Sequence, residues 1–145
     1  MNPLCTLSHR NLRHLHLQSN AINGPIPECF LSEGSSLRDL ILDENPISGS
    51  IPDVIAEQSN LEVIQISAAN LTGTFPQTFV HTKHLVLLDL SDNQMEGELP
   101  DEFGPSPHLK NLYLSGNRFG GRIPTGIAAS RTLRSEEHTS ELQSL

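Results

Sequence analysis

Residues 88–100 read LDLSDNQMEGELP: Leu88, Asp89 and Leu90 alternate as a half-buried strand does, and the chain then turns through Asn93, Gly97 and Pro100. Three alternating residues are too few for a sheet of their own. The stretch is either an interrupted element or one copy of a unit that leans on its neighbours. The rest of the chain holds the copies. Leu37, Leu61, Leu85, Leu109 and Leu133 stand 24 residues apart, and Leu12 precedes Leu37 by 25, the extra residue fitting the loop LSEGSS. A fixed spacing in this range marks a repeat architecture.

Counted from those leucines, apolar residues recur three and five places on: Leu15 and Leu17, Leu40 and Leu42, Ile64 and Ile66, Leu88 and Leu90, Leu112 and Leu114. This is strand alternation. Asparagine follows at Asn20, Asn45, Asn93 and Asn117, glycine at Gly24, Gly49, Gly73, Gly97 and Gly121, and proline at Pro27, Pro52, Pro76, Pro100 and Pro124. The inward apolar residues of one coil, such as Leu85, Leu88, Leu90, Met95, Leu99 and Phe103, cannot by themselves offset the conformational entropy lost in ordering it. Stacking adds ladder hydrogen bonds and buries both flanks of each coil, so the chain is expected to form a solenoid.

With 145 residues the chain has room for one domain, and its ten glycines and ten prolines call for recurrent turns in place of long helices. A formal charge of −8 excludes the basic footprint that nucleic acid requires. No apolar run approaches the roughly 18 residues of a membrane-spanning helix, and no secretory signal opens the chain.

The stretches LRDLILDENPISGSIP and LVLLDLSDNQMEGELP resemble the plant-type leucine-rich repeat, LxxLxLxxNxLxGxIP, and the resemblance covers residues 12 to about 133. It implies an α/β solenoid: a curved right-handed coil with a parallel concave β-sheet and short 3-10 or irregular convex segments. It also implies that the asparagines bond backbone groups between coils and that the GxIP segment adds a second strand. Residues 1–11 are expected to be part of a preceding repeat, and 12–133 to hold five repeats and the start of a sixth. Arg134 to Ser144 match, residue for residue, the translation of a common sequencing-library adapter, so 134–145 are set aside as a non-native tail. Neither end carries the polar cap a solenoid needs. The chain is expected to be a piece of a longer protein.

Two positions depart from the pattern. Ala69 stands where the third coil should have its asparagine, which removes one rung. The position three before each coil's first leucine, often apolar in the family, is Gln58, Thr82, Ser106 and Ser130, which predicts looser convex packing.

No nucleophile elbow, HExxH pair or phosphate-cradling glycine loop is present, and the recurrent glycines are accounted for by the repeat. No catalytic residue and no cofactor are expected. His14 and His16 alternate onto one face of the first strand, yet no third ligand at a fitting spacing is evident, so no metal is expected and they are read as solvated residues. His81 and His84 are read in the same way. Cys5 and Cys29 lie one coil apart, within disulfide range if their coils stack, but two separate thiols is the simpler expectation. Asn70-Leu71-Thr72 is an N-glycosylation sequon one place past the ladder position, where Asn70 should face solvent.

The outward strand positions should form three columns: His14, Asp39, Val63, Leu87, Asn111; His16, Ile41, Gln65, Asp89, Tyr113; and Gln18, Asp43, Ser67, Ser91, Ser115. Nothing in the fold requires Ile41, Val63, Leu87 or Tyr113 to be apolar there. Scattered exposed apolar residues are ordinary, but an aliphatic patch with a tyrosine and flanking acids also suits a peptide or protein contact. The candidate partner-binding residues are His14, His16, Asp39, Ile41, Asp43, Val63, Gln65, Leu87, Asp89, Asn111 and Tyr113. The resemblance implies a binding module from the extracellular side of a plant receptor-like protein or receptor-like kinase. Such a module takes a peptide or protein ligand, and a co-receptor, in defence or developmental signalling. The parent would be membrane-anchored. Two alternatives stand beside it: a secreted inhibitor of a microbial cell-wall hydrolase, and the sensing part of a chain whose kinase domain lies downstream.

Overall fold

The computed structural model describes residues 11–31, 34–57, 60–102 and 108–128. Five three-residue strands, β1 (His14–His16), β2 (Asp39–Ile41), β4 (Val63–Gln65), β6 (Leu87–Asp89) and β8 (Asn111–Tyr113), form one parallel sheet in the order β1-β2-β4-β6-β8. Pairing is in register throughout, so Leu15, Leu40, Ile64, Leu88 and Leu112 lie side by side. Leu40, Ile64 and Leu88 are wholly buried. The solenoid that the repeat predicts is the observed fold.

A second set of short strands runs along the flank where each GxIP segment passes. There β3 (Ser48–Gly49) pairs with β5 (Asn70–Leu71), and β7 (Glu96–Glu98) with β9 (Arg118–Gly120), all parallel. Single bridges extend these pairs, Gly24 to Ile47 and Thr74 to Glu96. The glycine of this segment has φ between +79° and +87° in every coil, a region that costs an L-residue about 1–2 kcal/mol. At Gly97 a Cβ would also sit 3.1 Å from Thr74 Cγ2.

Proline sets the next element. Its fixed φ and missing N–H suit the entry to a helical turn, and its carbonyl accepts the first bond of that turn in the four coils whose turns are described: Phe30 to Pro27, Ile55 to Pro52, Phe79 to Pro76 and Ile127 to Pro124. The resulting 3-10 turns are Glu28–Leu31, Asp53–Glu57 and Gln77–His81, and a four-residue helix, α1 (Thr125–Ala128), takes this place in the last described coil. Phe30, Leu31, Ile55 and Phe79 on these turns are buried, and Phe75 packs its ring 5.2 Å from Phe79 and 6.3 Å from Phe119. These side chains fill the space beneath the turns; the polar position that follows each turn, from which looser packing is expected, is described only at Thr82. At that position Thr82 donates its Oγ1 hydrogen to the Phe79 carbonyl at 2.9 Å and closes the turn; Gln58, Ser106 and Ser130 lie outside the described residues, as does Phe103.

The asparagine ladder holds the coils together from within. Asn93 Nδ2 donates to the carbonyls of Ile66 in the preceding coil (2.7 Å) and of Leu90 and Ser91 in its own (3.1 Å each), while its Oδ1 accepts the Leu71 amide at 3.1 Å. Asn45 and Asn117 repeat the arrangement. The residue before each ladder position is left-handed: Ser19, Glu44, Ala68, Asp92 and Gly116.

Cys29 is disulfide-bonded, which corrects the expectation of separate thiols; the chain's other cysteine, Cys5, lies outside the described residues. Also outside them are residues 1–10 of the expected partial repeat and the tail 134–145. Among the described residues no helix is long and apolar enough to cross a membrane.

Candidate functional site

The sheet's outer face is built by alternation: β2, β4, β6 and β8 bury the middle side chain and present the two that flank it, and β1 does so with its middle Leu15 half-buried. Registration then aligns them into rows across the coils, His14, Asp39, Val63, Leu87, Asn111 and His16, Ile41, Gln65, Asp89, Tyr113. Backbone bonds from Ser19 to Asp43, Glu44 to Ser67, Ala68 to Ser91 and Asp92 to Ser115 carry the ladder past the strands. The third row, Gln18, Asp43, Ser67, Ser91 and Ser115, is thereby kept in step.

Ile41, Val63, Leu87 and Tyr113 are half-buried and lie one on each of the four successive strands β2, β4, β6 and β8. Leu87 pairs directly with Val63, and Ile41 and Tyr113 sit diagonally at either side. At a strand spacing of about 4.8 Å the stripe is about 14 Å long, the length of about four extended residues. Gln65 and Asn111 are half-buried beside it, and Asn111 donates to the Tyr113 hydroxyl at 3.2 Å.

The acidic residues are more occupied than their positions in the sequence imply. Asp43 Oδ1 accepts both the amide (2.6 Å) and the hydroxyl (2.8 Å) of Ser67 on the next coil. Asp89 Oδ1 accepts the amide and hydroxyl of Ser91 at 2.9 and 2.6 Å. Each carboxylate is thus anchored by one oxygen. Such anchoring holds negative charge at a fixed place on the face.

At the β1 edge the sheet brings together what the spacing along one strand did not reveal. Asp39, one coil after His14, puts Oδ2 at 2.6 Å from His14 Nδ1 and 3.5 Å from His16 Nε2. The expectation that the two histidines lack a third donor is corrected: the missing group sits on the neighbouring strand, where only the pairing register could find it. His81 is exposed, and His84 stacks on His108 with parallel rings 6.3 Å apart. Asn70, on β5 of the flanking sheet, is exposed.

A family model described as leucine rich repeat matches residues 59–119, and a second of the same description matches 11–32 and 36–57. Receptor-like protein 31 of Arabidopsis thaliana is 39% identical over 64 residues, 44% of this chain and 7% of the relative. The Arabidopsis receptor kinase HAESA, solved with the peptide hormone IDA and the co-receptor SERK1, superposes with a TM-score of 0.82 at 32% identity. That match covers 88% of this chain and 21% of the receptor. The BIR3–SERK2 complex from Arabidopsis thaliana matches with a TM-score of 0.75 at 33% identity, covering 85% of this chain and 70% of that one. The chain spans a small part of the first two proteins and most of the third.

Proposed function

Because the chain belongs to the leucine-rich repeat family, in the variety seen in plant receptor ectodomains, we propose that its outer sheet face binds a peptide or protein ligand. It would be the sensing part of a longer receptor-like protein or receptor-like kinase, displayed on the extracellular side of the plasma membrane and working with a co-receptor. The fragment itself would bind without catalysing. Fold does not fix function, so the reading rests on the face. One observation carries it: the stripe Ile41, Val63, Leu87 and Tyr113, on four adjoining strands, is apolar where the solenoid needs no apolar residue.

The remaining features support the same reading. Gln65 and Asn111 bring amide groups that can pair with a ligand's backbone, and Asp43 and Asp89 keep an oxygen each for a basic ligand side chain or amino group. His14, His16 and Asp39 close the face at one edge. Asn70, away from the stripe on the flank, is proposed as a carbohydrate acceptor.

A library of twelve-residue peptides selected on the intact chain tests the proposal. Selected peptides should bind Leu87→Asp and Tyr113→Ala at least about tenfold more weakly, an apolar contact at the centre of an interface being worth more than about 1.4 kcal/mol. They should bind Gln94→Ala, an exposed change near the flank, as they bind the parent. Thermal melting reports whether each variant is folded. Peptides indifferent to both face variants would place binding elsewhere.

A further inference from the structure

His14, His16 and Asp39 are the one group of three histidine or carboxylate side chains among the described residues whose donor atoms all lie within 4.8 Å of one another. We propose that they form a divalent-cation site, suited to zinc, at the β1 edge of the outer face. This does not rest on the ligand-binding reading; it needs only the register of β1 and β2.

The site follows from backbone geometry. Residues two apart on a strand share a face, which puts His14 and His16 on one side of Leu15. In-register pairing sets Asp39 directly beside His14. The carboxylate then lies between two imidazoles, its Oδ2 at 2.6 Å from one ring nitrogen and 3.5 Å from the other. Zinc bound at about 2.0–2.2 Å from nitrogen and oxygen places neighbouring donors about 3.0–3.5 Å apart. One edge of the triangle already has that length, a second must widen by less than about 1 Å, and the third, between the two imidazoles, is no longer than 4.8 Å. Both histidines can provide this movement, being 58% and 46% exposed on their side chains, whereas Asp39 is held at 21%.

The donor set selects the ion. Two imidazoles with one carboxylate suit zinc and its neighbours in the transition series, and give calcium and magnesium too few oxygens. Three protein donors leave a fourth tetrahedral position towards solvent for water or for a donor from a bound partner. The net charge of −8 favours cation capture. His84 and His108 stack without a third donor of this kind among the described residues, which makes them a control.

Zinc chloride titrated alone into the full chain, in buffer free of chelator and phosphate, should bind one ion per chain at the site. His14→Ala, His16→Ala and Asp39→Asn should each weaken binding at least about tenfold, and the double variant His84→Ala/His108→Ala should not. In the unaltered chain, ring resonances of His14 and His16 should shift before those of any other histidine, a readout that does not depend on the variants folding. Zinc affinity unchanged by Asp39→Asn, first shifts at His84 and His108, or no binding at millimolar zinc would each overturn the site.

Discussion

Ala69 occupies the ladder position of its coil without a side-chain amide, and the backbone around it has adjusted. Elsewhere the amide two residues past a ladder position is accepted by the asparagine of the next coil: Ile22 by Asn45, Leu71 by Asn93, Met95 by Asn117. Ile47 has no such acceptor on Ala69, and its N–H instead folds back to the carbonyl of Asn45 at 2.7 Å. Such a three-residue turn satisfies the donor locally but ties nothing to the next coil. Ala69→Asn should restore the tie, accepting from Ile47 and donating to the carbonyls of Leu42 and Ile66. A gain of about 1 kcal/mol is expected, read as a rise of about 2–4 °C in melting temperature; a lower or unmoved midpoint would show that the local turn serves equally well. The vacancy was visible in the sequence, but the repair was not, because it depends on which way one peptide group turns. The same holds for Asp39 and Cys29, whose roles depend on a side-chain rotamer and a cross-coil distance.

The strands, turns and flanking bridges were legible because each demands a residue type. Alternation at Leu40 and Leu42, a left-handed φ at Gly49 and a bond-accepting proline at Pro52 are local needs that the sequence records coil by coil. The residues beneath the turns, Phe30, Ile55 and Phe79, come three places after the proline, the place that Phe103 holds in its own coil, and an apolar residue there is a local need of the same kind. Element geometry also bears on Asn70. It lies on β5, whose partner β3 uses backbone groups alone, leaving the Asn70 side chain exposed on the flank together with Thr72. Expressed through a eukaryotic secretory route, the chain should carry a glycan there. Enzymatic deglycosylation should lower the mass of the parent chain and leave Asn70→Gln unchanged; no mass difference between the two would remove the site.

At the scale of the molecule, each coil touches chiefly its neighbours, so stability is a chain of nearest-neighbour terms. β4 lies in the middle of the order β1-β2-β4-β6-β8, paired on both edges, and its central Ile64 is wholly buried, whereas β1 pairs with β2 alone among the described strands and Leu15 is only half-buried. Amide hydrogens of β4 should therefore exchange at the rate of global unfolding and those of β1 faster, in a protection gradient along the solenoid. Uniform protection would mean that the coils open only together. The strict side-by-side alignment of coils has one more effect, on anything laid across them. Two inter-strand gaps measure about 9.6 Å and three residues of extended chain about 9.9 Å, two nearly commensurate rulers that form a vernier. A visitor crossing the grain would meet equivalent footing at every third residue and, since its side chains alternate sides, present the same face there at every sixth.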